Sequence, residues 1–94
     1  MRSILIASFL AALTISTGLA VSQASAQGNA CFRLWVARNS SYSANGYCFK
    51  TARAISYFGN AGCQYDYEAD VPMSPYDRQR VAQIQAEERA LGCR

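Results

Sequence analysis

The sequence predicts a small all-α domain: three helices and one long ordered loop, stapled by two disulfides. Three observations predict this fold. Two segments repeat their apolar residues at the helical period, with a short capped segment between them; four cysteines occur in only 94 residues; and no run alternates apolar with polar residues. The length allows one domain and excludes a large enzyme with a deep pocket of its own. The formal net charge of +3 is too small for nucleic-acid binding by charge density.

Residues 1–26 are predicted to be a signal peptide that is removed. Arg2 gives the segment a positive start, an almost uncharged apolar stretch follows over residues 4–21, and Ala24-Ser25-Ala26 offers small residues to signal peptidase. We therefore expect a mature domain of residues 27–94, either periplasmic or secreted. An uncleaved membrane anchor is one alternative, because about 18 residues just span a bilayer. A lipoprotein signal ending at the first cysteine is another.

Export to an oxidising compartment favours disulfides. No two cysteines are closer than 15 residues and the chain has no histidine, which argues against a zinc site. If the first and last helices are antiparallel, Cys31 meets Cys93, and Cys48 then bonds Cys63. Four cysteines allow three connectivities, so this pairing depends on the predicted helices.

The first helix is predicted from Asn29, as its N-cap, to Tyr42. Asn45-Gly46 ends it, because both residues tolerate the left-handed backbone of a helix C-terminus. The inward face follows from residues at i, i+3, i+4, i+7 and i+10: Phe32, Trp35, Val36, Asn39 and Tyr42.

After a short extended link, Tyr47-Cys48-Phe49, a brief second helix is predicted from the N-cap Thr51 to Phe58, and Gly59 stops it. Its apolar positions are Ala54, Ile55 and Phe58. Residues 59–73 then form a long connection without a period, which we expect to be pinned down and partly packed.

The third helix has the best-marked boundaries. Ser74 is its predicted N-cap, Pro75 occupies the first helical position and Asp77 stands at N3. Gly92 ends it. The predicted inward stripe is Val81, Ile84 and Leu91, helped by Ala82 and Ala86. The predicted solvated face is Arg78, Gln79, Gln83, Glu87 and Arg89, and adjacent Glu88 is also expected to be solvated.

Several pieces of the chain together resemble the YARHG domain, a small extracellular bacterial module named for its central motif. These pieces are Leu34-Trp35 with Arg38-Asn39, Gly46-Tyr47-Cys48-Phe49-Lys50, and Tyr57-Phe58. The resemblance covers about Cys31 to Glu88 and implies export and a compact fold.

The naming motif itself departs from the family, because it stands here as Tyr42-Ser43-Ala44-Asn45-Gly46. Its arginine and histidine are replaced, so no function that depends on them is carried over. The motif residues that survive are Tyr42, which we assign to packing, and Gly46, which we assign to the turn.

Catalysis is not expected, because the chain offers no histidine base, no glycine-rich phosphate loop and, once both disulfides form, no free thiol. A calcium loop is a weaker alternative. Its spacing is met by Asp66, Glu68, Asp70 and Asp77, but Val71 and Pro72 stand where such a loop needs a turn on glycine and a backbone carbonyl. We therefore expect no metal and no cofactor.

Most aromatic side chains are expected in the core, above all Trp35, Phe49 and Phe58. The candidates for an exposed contact surface are Tyr65, Tyr67 and Tyr76, together with Arg38. Arg38 is expected to pair with a loop carboxylate, Asp66 or Asp70. The alternative is a shallow anionic-ligand patch of Arg33, Arg38, Lys50 and Arg53.

These features suggest a small exported protein without catalysis, a binding or structural module of the cell envelope. The expected partner is an envelope polymer or another exported protein; we expect no nucleic acid and, after signal removal, no membrane. The alternative is an inhibitor or accessory subunit that docks on another exported protein through the tyrosine-bearing loop.

Overall fold

The computed structural model describes the backbone of residues 7–94 and the side chains from Ala26 onward. In this part of the chain there are three α-helices and one short 3-10 helix: α1 (Ala7–Ala44), α2 (Ala52–Phe58), the 3-10 helix (Glu68–Asp70) and α3 (Pro75–Leu91). No strand forms among these residues, where the β-pairing is an isolated parallel bridge between Tyr47 and Tyr65. The predicted all-α fold of three helices is confirmed.

The chain divides into two units between Ala30 and Cys31. The described backbone of the first unit belongs to α1; the second unit, Cys31–Arg94, contains α2, α3 and both disulfides. Arg2 and the side chains of residues 4–21, on which the predicted signal peptide depends, lie outside the described residues. Among the helices described, none combines the length and the apolar character needed to cross a bilayer.

The first helix starts earlier than the sequence predicts. Asn29 lies inside α1 instead of capping it, because the residues before it are mostly alanine, serine, leucine and other helix-compatible types without proline. The predicted end is right: α1 stops at Ala44, and Gly46 has a φ of +90°.

The second helix forms as predicted. The Thr51 hydroxyl accepts a hydrogen bond from the Ala54 N–H at 3.2 Å, and Gly59 ends the helix with a positive φ. Ala54 is buried against the rest of the domain, whereas Ile55 is exposed. With only seven residues the helix buries a narrow stripe, and Ile55 falls outside it.

The long loop is ordered, as expected, and it contributes to the core. Val71 is its anchor, with only 1% of its surface exposed. The Asn60 side chain holds the start of the loop, since its Oδ1 accepts from the Phe49 N–H at 2.7 Å and its Nδ2 donates to the Phe49 carbonyl at 3.0 Å. Backbone hydrogen bonds to the turn after α1 fix its middle.

The predicted boundaries of the third helix are confirmed. The Ser74 hydroxyl accepts from the Asp77 N–H at 3.0 Å, and Gly92 ends α3 in the left-handed conformation. The buried apolar side chains of the domain are Phe49, Ala54, Val71, Val81 and Ile84. Leu91 is half-buried; Ala82 and Ala86 are exposed, against the prediction.

The predicted disulfide pairing is also confirmed. Cys31 bonds Cys93 and Cys48 bonds Cys63, with Cα–Cα distances of 5.5 and 5.1 Å. On the chain-entropy model, the 62-residue separation of the first pair is worth about 4 kcal/mol and the 15-residue separation of the second about 3 kcal/mol. Because so small a core leaves little surplus stability, both disulfides are important for keeping the domain folded.

Candidate functional site

A cleft of about 430 Å³ opens beside the turn that follows α1. Three parts of the chain form it: the end of α1 with its turn (residues 43–47), the start of the long loop with the last residue of α2 (residues 58–65), and Pro72. The Cys48–Cys63 disulfide and the Tyr47–Tyr65 bridge join the first two parts. The cleft is therefore built where the fold cross-links itself most densely.

Gly46 lines the cleft and joins the turn to the loop. Its carbonyl accepts hydrogen bonds from the N–H groups of Gln64 at 2.8 Å and Tyr65 at 3.0 Å. A Cβ atom at this position would lie 3.2 Å from the Tyr65 ring, and the φ of +90° disfavours any side chain. Only glycine lets the turn and the loop approach this closely.

The walls carry no carboxylate, ammonium, guanidinium or imidazole group. None of the residues that line the cleft is Asp, Glu, Lys, Arg or His, and its one sulfur belongs to the disulfide. The polar side chains of the walls include the carboxamides of Asn45, Asn60 and Gln64 and the phenols of Tyr47 and Tyr65. Such walls can donate and accept hydrogen bonds and offer ring faces, which suits binding.

Asn45 is fixed in place at the rim. Its Nδ2 donates to the Ser41 carbonyl at 2.7 Å and to Asp77 Oδ2 at 3.4 Å. The second contact ties the turn to the first turn of α3, whose N-terminus Asp77 also serves. The rim of the cleft is thus coupled to both long helices.

Tyr42 supports the turn from inside, as the packing role assigned to it requires. Its carbonyl accepts from the N–H groups of Asn45 at 3.2 Å and Tyr47 at 3.1 Å, and its ring meets the Tyr47 ring with centroids 5.7 Å apart. Burial raises the pKa of the Tyr42 phenol above its ordinary value, and the negative charge of Glu68 adds to that rise.

A second surface combines aromatic rings with a cation. We call Phe32, Trp35, Arg53 and Tyr57 the aromatic–arginine cluster. The Arg53 guanidinium lies 4.0 Å from the centroid of the Trp35 ring, and the Tyr57 ring meets the rings of both Phe32 and Trp35 edge-on. Phe32 is 44% exposed and Tyr57 54%.

The expected core role of the aromatics is therefore only partly right. Phe49 is buried, while Trp35 and Phe58 are half-buried; the Phe58 ring stacks on Phe49 and meets the Trp35 ring at a tilt. The helical period gives the direction of Phe32 and Trp35 correctly. The helical period does not show how deeply a side chain is buried, and α2 is too short to cover Phe32 and Trp35.

The predicted contact residues do not form one site. Tyr65 is half-buried and lines the cleft; Tyr67 and Tyr76 are both strongly exposed and line no part of it. Tyr76 lies instead beside Gln79, Arg80 and Gln83 on α3. Only Tyr65 connects the predicted surface with the cleft.

Arg38, the remaining predicted contact residue, is held by α3. Its Nε donates to Glu88 Oε1 at 2.7 Å and its Nη2 donates to Glu88 Oε2 at 3.2 Å, with the two side chains only 23% and 12% exposed. The expected pairing with Asp66 or Asp70 is wrong, because Asp66 accepts from the Lys50 ammonium at 2.8 Å.

The expectation of a solvated Glu88 is also wrong. Glu88 follows Val81 by seven residues and Ile84 by four, so it belongs to the buried stripe of α3. A charged residue in an otherwise apolar stripe was the available signal, and it points to a buried partner of opposite charge on a neighbouring helix.

Two of the four acidic residues with the calcium-loop spacing are used in other contacts. Asp66 pairs with Lys50, and Asp77 lies at the N-terminus of α3. A search of the described residues finds no group of three or more side chains placed to hold a metal ion.

Comparison with family models matches residues 9–89 to the YARHG domain, which is well over half of the chain. The chain belongs to the YARHG domain family. The match begins well before Cys31, where the resemblance read from the sequence begins, and therefore also covers part of the predicted signal peptide. Comparison with curated proteins and with solved structures gives no match.

Four of the five residues at the naming motif of this YARHG domain line the cleft. Ala44 and Asn45, which replace the arginine and the histidine of the motif, both line the cleft, as do Ser43 and Gly46. In this chain the motif segment is therefore a structural turn that also shapes an uncharged surface. Family and disulfides together fit a small extracellular module.

Proposed function

We propose that this YARHG domain is an exported, non-catalytic binding module whose cleft holds a component of the cell envelope. The observation that carries the proposal is the cross-linked, uncharged cleft at the motif turn. Its walls are fixed by a disulfide, by the paired hydrogen bonds of Asn60 and by the glycine turn, so a ligand would meet a preformed surface.

The lining contains no carboxylate, imidazole, amine or free thiol, and this composition supports binding in preference to catalysis. General acid–base and nucleophilic chemistry most often use His, Asp, Glu, Lys or Cys side chains within hydrogen-bond reach of the reacting atoms. The described lining provides carboxamides, phenols, small residues and a disulfide. Export is supported by the predicted signal peptide, by the family and by the two disulfides, which persist in oxidising compartments.

Co-sedimentation with isolated peptidoglycan sacculi tests the proposal. Protein recovered from the periplasm or the medium should sediment with the sacculi, and Ala61→Arg, which places a charged bulky side chain on the cleft wall, should release it. Intact-mass measurement after alkylation tests export and oxidation together. We expect the mass of a chain that begins at Gln27, with no alkylated thiol. Retention of Met1 and four reactive thiols would contradict export.

A second candidate function is docking on another exported protein through the aromatic–arginine cluster. The specific observation in its favour is composition: tryptophan, tyrosine and arginine dominate the energetic centres of protein interfaces, and here they lie together and partly exposed. A pull-down from periplasm that fails with Tyr57→Ser but persists with Ala61→Arg would favour this candidate over the cleft.

A further inference from the structure

We infer that the cleft binds an uncharged sugar within a short stretch of glycan chain. The inference rests on the proposed function and names the chemistry of its ligand. Four properties of the cleft carry it: the charge of its walls, the kind of hydrogen-bonding groups, the presence of tyrosine rings, and the size.

The charge of the walls disfavours an ionic ligand. A phosphate or carboxylate loses hydration on entering a cleft, and that loss is recovered only where a cation or several oriented donors meet it. No lining residue carries a charge. Outside the lining, Lys50 pairs with Asp66 across 2.8 Å, and the Asp77 carboxylate, which accepts from Asn45 at 3.4 Å, adds a negative charge that further disfavours an anion.

The polar groups of the walls match hydroxyl groups. A carboxamide both donates and accepts, and a sugar hydroxyl does the same, so each can satisfy the other in more than one orientation. Gln64 is the clearest case: it joins the fold through its backbone N–H and exposes its side chain at the cleft. Changing this side chain should therefore alter binding with little effect on folding.

Two half-buried tyrosines, Tyr47 and Tyr65, provide ring surface among these polar groups. A tyrosine presents an apolar face and a hydroxyl, and a pyranose ring presents apolar C–H faces edged by hydroxyls. The exposed surface of the walls is mostly polar, which disfavours a lipid chain. Mixed polar and aromatic walls therefore favour a sugar.

The size of the cleft agrees with a small ligand or a piece of a chain. Small-molecule sites in proteins enclose about 300–1,000 Å³, and this one encloses about 430 Å³. Because it is open to solvent, a longer glycan could continue beyond it in either direction.

Titration of ¹⁵N-labelled protein, secreted from the full sequence, with two neutral trisaccharides tests the inference. Tri-N-acetylchitotriose represents N-acetylated envelope glycan and maltotriose represents plain hexose polymers. We expect at least one to shift the amide signals of Gly46, Gly62 and Gln64. Gln64→Ala should weaken that binding about two- to tenfold, the loss expected for one hydrogen bond, and Ala61→Arg should abolish it. The matched control, Gln83→Ala on the exposed face of α3, should bind as the parent does.

A response to either sugar supports the inference, and the sugar that binds identifies the class of glycan. The inference is overturned if neither sugar shifts these amides, or if inorganic phosphate or N-acetyl-trialanine amide shifts them instead. Sacculus binding without any response to sugar would leave the proposed envelope role standing and remove the sugar cleft. Sugar binding without sacculus binding would support the sugar cleft and contradict the proposed envelope role. Thermal unfolding of each variant checks that a loss of binding does not reflect a loss of fold.

Discussion

Replacing Glu88 by glutamine removes the charge that α3 presents to Arg38 while keeping the shape of the side chain. In the parent protein two hydrogen bonds of 2.7 and 3.2 Å join the guanidinium to the carboxylate. Glutamine can still accept one of them through its Oε1, but its amide N–H₂ would face the arginine. In the variant, the largely buried Arg38 guanidinium thus keeps one of its two hydrogen bonds and loses the opposite charge.

The cost follows from how much water still reaches the pair. Removing one member of a fully buried pair costs about 3–5 kcal/mol, and a hydrogen bond to a charged group is worth about 1.5–3 kcal/mol. Exposed fractions of 23% for Arg38 and 12% for Glu88 place this pair nearer the second range. We expect Glu88→Gln to lower the free energy of unfolding by about 2 kcal/mol, and the Tm by about 10 °C in a domain of this size.

Urea unfolding of the oxidised protein, followed by far-UV circular dichroism, measures this loss. Glu87→Gln is the matched control, because Glu87 neighbours Glu88 but is exposed; it should change stability by less than about 0.5 kcal/mol. The double variant with Arg38→Met completes a cycle, in which coupling of about 1–2 kcal/mol is expected. Strict additivity, or equal losses for Glu87→Gln and Glu88→Gln, would refute the interpretation of the pair as a buried link between α1 and α3.

Three further predictions concern the turn and its supports. Gly46→Ala should destabilise the domain by about 1–3 kcal/mol from its positive φ alone, and by more than Gly62→Ala does, because a Cβ at residue 62 meets nothing within 4 Å; equal Tm losses would argue against close approach at the turn. Replacing Cys48 and Cys63 together by alanine should cost about 3 kcal/mol in urea unfolding, and an unchanged midpoint would contradict that role for the bridge. Burial raises the pKa of Tyr42, so the folded state favours its neutral phenol over the phenolate. The contribution of Tyr42 to the free energy of unfolding is therefore complete below the ordinary tyrosine pKa of about 10. It is lost as the pH rises through the folded value. Tyr42→Phe should flatten the alkaline fall in Tm, and parallel Tm profiles of the two proteins would refute this.

The helix ends could be predicted because their signals are local. Ser74 before Pro75, and Thr51 before a short apolar repeat, specify caps through side chains that reach a backbone N–H three residues on. The start of α1 was missed for the same reason: Asn29 is a good cap in isolation, but the preceding stretch contains no proline, and the helix runs through Asn29 despite Gly28 before it.

The disulfide pairing followed from helix order, whereas the cleft did not follow from anything local. Its walls come from three separate segments between Ser43 and Pro72, and the identity of Gln64 alone gives no sign that this side chain lies at a cleft. Gly46 was assigned to the turn correctly, but only the structure shows the Tyr65 ring lying against it. The prediction for Glu88 failed for the opposite reason. Its charge was taken to mean solvent exposure, although its spacing from Val81 and Ile84 places it on the buried face of α3.

The bridge between Cys31 and Cys93 has a practical consequence. It brings residues from opposite ends of the Cys31–Arg94 unit to a Cα–Cα distance of 5.5 Å, while α1 carries the chain about 20 Å along its axis from Cys31 to the Gly46 turn. A label or linker attached after Arg94 would therefore lie at the end of the domain that is remote from the cleft. Examples are a fluorophore, a biotin tag or a sensor-chip linker. Immobilised in this way, the domain would present its cleft to solution, and a circular permutant with its two ends rejoined would need only a short linker.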